Sequence, residues 1–382
     1  IAIAVHGRFH AFDLASALLR AGHDVHLLTS ARAAAVAARF PLERTERFRR
    51  HFVLAHAARM MAGGEPPPFL EARLKQMFGR WAARKHISLA SDVIHCWSGV
   101  AEESLRACGH GCIATLARGS AHIRVQRQLL EEEETRSGRR LEKPSDWIVE
   151  REEREYELAR VIVVPSEFAR RTFAQQGVDG GKIAVIPLAT RAHGFNAAPA
   201  TIAARAQRIR SGAPLRVLYV GMLSYRKGMH DLLAVMQQLS GRMEFRLVGP
   251  LLPECKDFAG RAGAIARIDA AVPESSLPEV YAWGDVFLLP TIEDGFAVVL
   301  AQAQAAGLPI LTTTNSGGPD IMADGGQGFV VPVRSPGAIV DRLQWCNDNR
   351  EQLAQMVEAL HANPPRRDWD DVARDFMKAI AS

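Results

Sequence analysis

Short apolar runs alternate with longer segments of helical periodicity along most of the chain. Residues 1–5 are uniformly apolar, residues 13–20 carry leucine and alanine on one helical face, and residues 25–28 hold three apolar residues around His26. Further apolar runs, each followed by glycine, serine or proline, predict strands at 93–95, 113–117 and 161–164. Strands that alternate with helices predict an α/β fold with a parallel sheet covered on both faces.

The alternation is interrupted once and then restarts, which indicates two domains. Residues 197–213 are rich in small and basic side chains, and we expect the interdomain linker there or just before it. The same rhythm then predicts strands at 216–220, 245–248, 286–289 and 309–312. We therefore divide the chain into two Rossmann-like domains and a final helix: 1–195, 196–365 and 366–382. Two doubly wound sheets would face each other across a cleft at the carboxyl ends of their strands, where ligands bind.

Length and composition limit the class of protein. A chain of 382 residues suits two domains, and no apolar run approaches the 18 residues of a transmembrane helix. The apolar run 1–5 is too short for a signal peptide, so we expect a cytoplasmic protein. The cysteines are odd in number and fit no zinc spacing, so we expect reduced thiols at Cys96, Cys108, Cys112, Cys255 and Cys346.

Positive charge is concentrated in one segment of the chain. The net charge is +5, and residues 40–90 hold ten Lys or Arg against four Asp or Glu. This excess suits an anionic partner or a solvated basic face, and no recognised nucleic-acid module is present. Bulky apolar residues lie among the cations: Phe48, Phe52, Met60, Met61, Phe69, Met77, Phe78 and Trp81. The mixture is typical of an interfacial helix, so we expect peripheral contact with an anionic membrane at its inner face; core packing of the apolar residues is the alternative.

The most informative segment is 290–309, where a strand gives way to an acidic turn and a helix runs from near Phe296 to Gly307. A helix N-terminus at the mouth of a cleft binds anions. Asp294 lies at that N-terminus, and Gln302 is roughly 12 Å further along the helix. The pair would span a ligand with a sugar, a diphosphate and a ribose; alternatively, Asp294 only caps the helix.

With an acidic residue, seven further residues and a second polar residue around a Gly-Phe turn, this segment resembles glycosyltransferase family 4, a group of retaining enzymes with the GT-B fold. The resemblance implies that Asp294 contacts sugar hydroxyls, that nearby backbone amides approach the sugar and phosphate, and that Gln302 holds the ribose. The family has two acids here, and the loss of charge at Gln302 should cost on the order of 1 kcal/mol per hydrogen bond. The donor-binding residues of this segment are then Asp294, Gly295, Phe296, Ala297, Val298 and Gln302. The GT-B fold also implies that the final helix packs back on the N-terminal domain.

A second match to the family begins at Gly221 and reads Gly-Met-Leu-Ser-Tyr-Arg-Lys-Gly. In the family, an arginine and a lysine of this turn neutralise the leaving diphosphate. Lys227 matches the lysine, whereas Met222 occupies the arginine position and carries no charge. We expect Arg226 to substitute, the alternative being a solvated pair of loop charges. Gly221 and Gly249, each directly after a predicted strand, are expected to line the donor site.

A third match lies in the N-terminal domain, where the family has a histidine in a loop that reaches the transferred sugar. His122 follows a predicted strand and a Gly-Ser turn, and it is preferred over His110; a purely structural histidine is the alternative. Arg118 of the same loop is expected near the reacting phosphate. Gly7, after the first strand, would allow close approach of the backbone to the donor.

Together these matches imply a retaining, metal-independent glycosyltransferase of the hexosyltransferase type. It would take a nucleoside diphosphate sugar as donor and a glycan or lipid-linked acceptor, without a cofactor. Residues 368–370 form an Asp-Trp-Asp string that we interpret as a helix start, so no metal site is predicted there. Two alternatives remain, a protein that binds nucleotide sugars without transferring them and a nucleotide-sugar epimerase. The expected catalytic residues are His122, Arg226, Lys227 and Asp294.

Overall fold

The computed structural model of the chain describes residues 1–7, 9–62, 66–189, 194–364 and 367–381. Its strands form one seven-stranded and one six-stranded sheet. The strands are β1 (Ala2–Val5), β2 (His26–Thr29), β3 (Thr45–Arg47), β4 (Val93–Trp97), β5 (Ile113–Ala117), β6 (Val161–Val164), β7 (Ile183–Val185), β8 (Leu215–Val220), β9 (Met243–Val248), β10 (Arg267–Asp269), β11 (Val286–Leu289), β12 (Ile310–Thr313) and β13 (Gly328–Val331).

Helices connect these strands and cover both faces of each sheet. They are α1 (Ala11–Arg20), α2 (Ala33–Ala37), α3 (Arg49–Ala62), α4 (Pro68–Leu89), α5 (Glu102–Ala107), α6 (Ile123–Ser137), α7 (Asp146–Leu158), α8 (Glu167–Gln175), α9 (Pro199–Arg210), α10 (Met229–Leu239), α11 (Lys256–Ala262), α12 (Leu277–Trp283), α13 (Val298–Ala305), α14 (Gly318–Ile321), α15 (Pro336–Asp348), α16 (Arg350–Ala362) and α17 (Trp369–Ala381).

Both sheets are parallel and doubly wound, which confirms the predicted α/β class with two Rossmann-like domains. The strand orders are β3-β2-β1-β4-β5-β6-β7 and β10-β9-β8-β11-β12-β13. Every residue of β1 and of β11 is buried, because helices lie on both sides of the central strands. The order reverses between β1 and β4 and again between β8 and β11. These reversals open a crevice at the carboxyl ends of the strands, where ligands of such folds bind.

The last helix, α17, packs on the N-terminal domain. Its Phe376 meets the ring of His95 at 4.8 Å, and Trp369 stacks on His10 at 5.8 Å between ring centroids. Buried residues of α17 share one apolar cluster with Ile3 and Phe12. The N-terminal domain is therefore built from both ends of the chain, although the predicted boundary at 365–366 lies outside the described residues.

Residues 197–213, in or just before which the linker was expected, are mostly helical in the structure. Helix α9 buries Ile202, Ala206 and Ile209 in the core of the C-terminal domain. Arg205 on the same helix donates hydrogen bonds to the carbonyls of Ala306 at 2.7 Å and Tyr281 at 3.0 Å. The linker prediction was wrong for these residues, since the small side chains serve close packing rather than an open connection.

The prediction of reduced thiols was wrong for two of the five cysteines. Cys108 and Cys112 form a disulfide across a short turn between α5 and β5. Cys96, Cys255 and Cys346 are free and buried in the cores. The pair could not be foreseen from the odd cysteine number, because the bond depends on a turn that brings the two Cα atoms to 5.6 Å.

Candidate active site at the domain interface

Two turns lie side by side at the carboxyl end of the C-terminal sheet. One follows β8 and the other follows β11, the two strands that flank the reversal of strand order. The backbone N–H of Ile292 donates to the carbonyl of Arg226 at 2.9 Å, and a Cβ at Gly228 would lie 1.8 Å from the carbonyl oxygen of Pro290. The two turns are thus joined through their backbones, and their side chains share one site.

The centre of this site is an ion pair between Lys227 and Asp294, whose side chains are in hydrogen-bond contact. Both residues are largely buried. Burial lowers the pKa of Lys227, and the neighbouring Asp294 carboxylate opposes that effect only in part. The structure therefore brings together two residues that are 67 positions apart in the sequence.

Helix α13 begins at Val298, four residues after Asp294. Ala297 is the N-cap residue, and its short side chain forms no capping hydrogen bond. The first N–H groups of the helix are thus without a side-chain cap, which favours an anion there. Gly295, just before the helix, packs against the N-terminal domain so closely that a Cβ would lie 2.3 Å from the carbonyl oxygen of Gly119.

Gly221 and Gly249 directly follow β8 and β9, at the same end of the sheet as the turn that carries Lys227. Their φ angles are +152° and +155°, a conformation that glycine adopts without strain. A Cβ at Gly249 would lie 1.8 Å from the carbonyl oxygen of Gly221. The turn after β9 can therefore touch the turn after β8 only because Gly249 has no side chain.

The remaining candidates of the C-terminal domain differ in their exposure. Met222 is exposed, whereas Phe296 and Gln302 are buried and Val298 begins α13. The side-chain oxygen of Gln302 accepts a hydrogen bond from the hydroxyl of Tyr281 at 2.9 Å. Gln302 is thus tied to α12, and one of its polar atoms is already satisfied.

Glu293 is the residue of this site that the sequence did not single out. It is 0% exposed, and it belongs to the C-terminal domain while it binds the N-terminal domain. Its carboxylate accepts hydrogen bonds from the hydroxyl of Ser120, from the backbone N–H of Ala121 at 3.0 Å and from the side chain of Gln126 at 3.1 Å. Arg226 approaches it at 3.3 Å.

The charge of Glu293 is stabilised by these contacts. Burial alone would raise its pKa, but Arg226 and the hydrogen bonds from Ala121 and Ser120 outweigh burial and hold the pKa at about 2. Glu293 is therefore ionised at neutral pH and acts as a buried anionic link between the two domains. One hint of this role was present in the sequence, because Glu293 is a second acid directly before Asp294.

Arg118 continues this link into the N-terminal domain. It donates to Gln126 at 2.7 Å and to Glu152 at 3.1 Å, and it also holds the carbonyl of Ala121 at 3.0 Å. Gln126 in turn donates to Glu293. Arg118 is buried, and its contacts fix the loop that faces the C-terminal domain.

His122 lies in the interior of the N-terminal domain and does not line the cleft. It is 2% exposed and packs against the rings of Tyr156 and Phe173, at 4.9 and 5.0 Å between centroids. Its Nδ1 accepts a hydrogen bond from the backbone N–H of Arg124, so it caps α6. The other candidate, His110, is exposed near the amino end of β5, at the opposite end of the sheet from the cleft. In this structure His122 therefore caps α6, and its contact with a transferred sugar stays a prediction.

We expect the buried position of His122 to make stability depend on pH. Burial lowers the pKa of His122 to about 4, so below about pH 6.5 the unfolded chain binds a proton here that the folded protein does not. As the pH falls through that window, the wild type should lose about 1.4 kcal/mol per pH unit relative to His122→Gln. Urea unfolding of both proteins at a series of pH values measures this difference. If the free energies of unfolding of the two proteins change in parallel with pH, the prediction is contradicted.

The N-terminal domain holds a separate cavity of about 400 Å³ at the carboxyl end of β1. Gly7 lines this cavity rather than the site around Lys227, and its neighbour Arg8 lies outside the described residues. Its charged lining side chains are three cations and one acid, so we call it the basic cavity. The charged and titratable residues of the lining are His6, Arg32, His51, His56, Arg59, Glu71 and Lys75. An anionic ligand would match this lining.

Two family models match the chain, one on each sheet. The model described as glycosyltransferase family 4 matches residues 8–190. The model described as glycosyl transferases group 1 matches residues 214–349. Together they cover both turns of the site around Lys227 as well as the basic cavity.

Curated proteins that are similar to this chain in sequence are also glycosyltransferases. The D-inositol 3-phosphate glycosyltransferase of Streptomyces avermitilis is 30% identical over 233 residues, which are 56% of this chain and 50% of that protein. The protein of the same name from Pseudarthrobacter chlorophenolicus is 27% identical over 391 residues, or 94% and 86% of the two chains. The chain spans about half the length of most of the curated relatives it matches. Among solved structures, Anabaena HepE in complex with UDP-glucose has a TM-score of 0.68 at 14% identity and covers 100% of this chain and 98% of that one. The fold is thus that of the GT-B glycosyltransferases.

Proposed function

Because the chain belongs to glycosyltransferase family 4, we propose that it transfers a sugar from a nucleoside diphosphate sugar to an acceptor held by the N-terminal domain. The observation that carries the proposal is the buried pair of Lys227 and Asp294 beside the uncapped amino end of α13. A cation, a carboxylate and helix amides within one crevice match a ligand that has a diphosphate next to sugar hydroxyls.

Catalysis would come from stabilising the leaving nucleoside diphosphate. Lys227 and the amides at the start of α13 provide preorganised positive charge where negative charge develops. Arg226 would assist, because Glu293 engages only its Nε and, within the part of the chain that the structure describes, no contact engages its two terminal nitrogens. Asp294 would hold the sugar hydroxyls while it keeps Lys227 in place.

We propose that transfer retains the anomeric configuration without a covalent sugar intermediate. The two acids of the site are otherwise engaged, Asp294 by Lys227 and Glu293 by the domain contact, so neither is placed as a free nucleophile. The acceptor oxygen would attack from the side of the departing diphosphate. As the bond from the anomeric carbon to the phosphate oxygen breaks, that phosphate oxygen would accept the proton of the acceptor. The cations that this step needs are side chains, so we propose that it requires no metal ion.

The basic cavity is the proposed acceptor site, and its lining favours an acceptor that carries a phosphate or another anionic group. Arg32, Arg59 and Lys75 supply three cations there, and Lys75 is partly neutralised by Glu71 at 3.2 Å. The curated relatives from Streptomyces and Pseudarthrobacter are named for a phosphorylated acceptor, inositol 3-phosphate. A glycan or a lipid-linked glycan with a phosphate would fit the same chemistry.

Incubation with a panel of nucleoside diphosphate sugars tests the proposed function. We expect one donor to raise the melting temperature, because ligands that bind the native state stabilise it, and to release nucleoside diphosphate when anionic acceptors are added. Proton NMR of the product should show the donor's anomeric configuration. Binding without release would favour a non-catalytic protein, and isomerised donor without acceptor would favour an epimerase.

We also propose that the segment around α3 and the start of α4 contacts an anionic membrane. Among the described residues, no helix is both long and apolar enough to span a bilayer. The segment nevertheless exposes 71% of Met60, 80% of Met61 and 72% of Phe69, whereas Phe78 is buried in the core. These exposed apolar side chains adjoin the basic cavity, since Arg59 lies in its lining. A lipid-linked acceptor could then enter from the membrane.

Liposome flotation measures this contact. We expect binding to vesicles with phosphatidylglycerol and little binding to pure phosphatidylcholine, because each cation near an anionic surface contributes about 1 kcal/mol. Replacement of Met60, Met61 and Phe69 by glutamine should abolish flotation. Ile87→Gln is the matched control, an exposed apolar residue near the other end of α4. Equal binding to both vesicle types would refute the proposal.

A further inference from the structure

A cluster of three metal-ligating side chains lies far from the candidate active site. Cys108 directly follows α5, Cys112 directly precedes β5, and His86 lies in the last turn of α4. One ligand atom from each lies within 4.8 Å of the other two. Across the described ranges, this is the one group of three or more His, Cys, Asp or Glu whose ligand atoms are that close.

One distance in the cluster already matches tetrahedral coordination. The Nε2 of His86 lies 3.6 Å from the Sγ of Cys112. Zinc bonds of about 2.3 Å to sulfur and about 2.0 Å to nitrogen, at a tetrahedral angle, put the two ligand atoms about 3.6 Å apart. Only Cys108 would have to move, because the two sulfurs are joined in a disulfide and would stand about 3.8 Å apart on a metal ion.

Cys108 and Cys112 are more accessible to solvent than the other three cysteines of the chain. Cys96, Cys255 and Cys346 are buried in the cores, and burial raises the pKa of each thiol. Cys108 and Cys112 are only half buried, so a reductant or a metal ion can reach them. His86 is itself buried, and the structure gives its Nδ1 no hydrogen-bond partner within the described residues. Two accessible sulfurs and a fixed imidazole form a soft ligand set of the kind that zinc prefers.

We propose that the dithiol form of this turn binds one zinc-class divalent cation through the sulfurs of Cys108 and Cys112 and the Nε2 of His86. The fourth position is open to water or to His110, which lies in the turn between the two cysteines. A dithiol or phosphine reductant supplies the two electrons that break the disulfide, and the two sulfurs gain protons. Metal binding then displaces both protons as the thiolates coordinate.

This site is structural, because it lies at the amino end of β5, whereas the cleft lies at the carboxyl ends of the strands. A bound ion would tie α4 to the connection between α5 and β5. When the turn is oxidised, the disulfide closes the turn between α5 and β5 but does not join it to α4. The turn thus has two alternative cross-links, of which only the metal includes His86.

The test uses the whole protein, reduced with a phosphine, loaded with zinc and freed of excess metal by gel filtration. We expect one zinc per chain in the reduced protein and none in the oxidised protein. Cys108→Ser, Cys112→Ser and His86→Ala should each lower the stoichiometry at least tenfold, whereas His56→Ala, an exposed histidine on α3, is the matched control. His110→Ala shows whether that residue supplies the fourth ligand.

Cobalt(II) gives a second measurement that does not depend on the stability of the variants. In the reduced wild type it should produce a thiolate-to-metal charge-transfer band in the near ultraviolet, and zinc should remove that band. Reduced protein that binds neither ion, or zinc that remains bound after Cys108→Ser and His86→Ala, would overturn the proposal. If a variant fails to fold, the comparison of reduced with oxidised wild type decides alone.

Discussion

Lys227→Ala is expected to lower the turnover number at least about a hundredfold, the effect of removing one preorganised electrostatic contact from a transition state. The reason is that its ammonium group is the buried cation next to the amino end of α13, where the leaving diphosphate would gain charge. Release of nucleoside diphosphate from the donor identified by thermal shift measures this effect. Because the contact strengthens as charge develops, the turnover number should fall more than donor affinity.

The matched control for this substitution is Lys256→Ala, an exposed lysine at the start of α11 in the same domain. It should leave turnover within about twofold, because exposed ion pairs contribute little. Removing Lys227 also leaves the Asp294 carboxylate without its partner, so urea unfolding of Lys227→Ala is needed to separate lost catalysis from lost folding. Near-normal kinetics for Lys227→Ala would remove the phosphate role from this residue.

Glu293→Ala should be the most destabilising single substitution in the site, with a loss of about 3–5 kcal/mol in the free energy of unfolding. The carboxylate is fully buried, and its removal leaves the N–H of Ala121 and the amide of Gln126 without their acceptor. The same change deletes a contact between the domains, so we also expect a larger radius of gyration in small-angle X-ray scattering. Urea unfolding measures the first effect.

Glu279→Ala is the control for Glu293→Ala, since it removes an exposed glutamate from α12 of the same domain. Its effect should stay within about 0.5 kcal/mol. The loss of unfolding free energy in Glu293→Gln should lie between those of Glu293→Ala and Glu279→Ala. The reason is that the glutamine amide oxygen still accepts hydrogen bonds, while its amide nitrogen faces Arg226. Equal stability of Glu293→Ala and Glu279→Ala would show that the buried carboxylate does not hold the domains together.

The sequence predicted the features of this protein that depend on local pattern. Apolar runs that end in glycine or proline marked most of the strands, and the resemblance to a known family selected Lys227 and Asp294, which the structure places in contact. Their side chains meet because both turns follow strands beside the same reversal of strand order. In such a fold, residues that directly follow the central strands can be assigned to the site from the sequence.

Features that depend on distant packing were not predicted. Glu293 binds Ser120 and Gln126, which lie 173 and 167 positions away, and no local pattern encodes that contact. His122 was assigned to the cleft from its position after a strand, but the rings of Tyr156 and Phe173 draw it into the core. Helix α9 could have been recognised, because Ile202, Ala206 and Ile209 follow helical spacing; the small residues around them concealed that pattern.

The position of α17 has a consequence for the order in which the protein folds during synthesis. Domains usually complete their folding in the order in which they leave the ribosome. Here the N-terminal domain lacks part of its core until residues 369–381 have been made, since Phe12 of α1 packs in one cluster with Phe376. The second domain lies in one continuous stretch and can close its core earlier. The nascent chain therefore carries an apolar surface on α1 and β1 throughout most of its translation, and the domain that starts first finishes last.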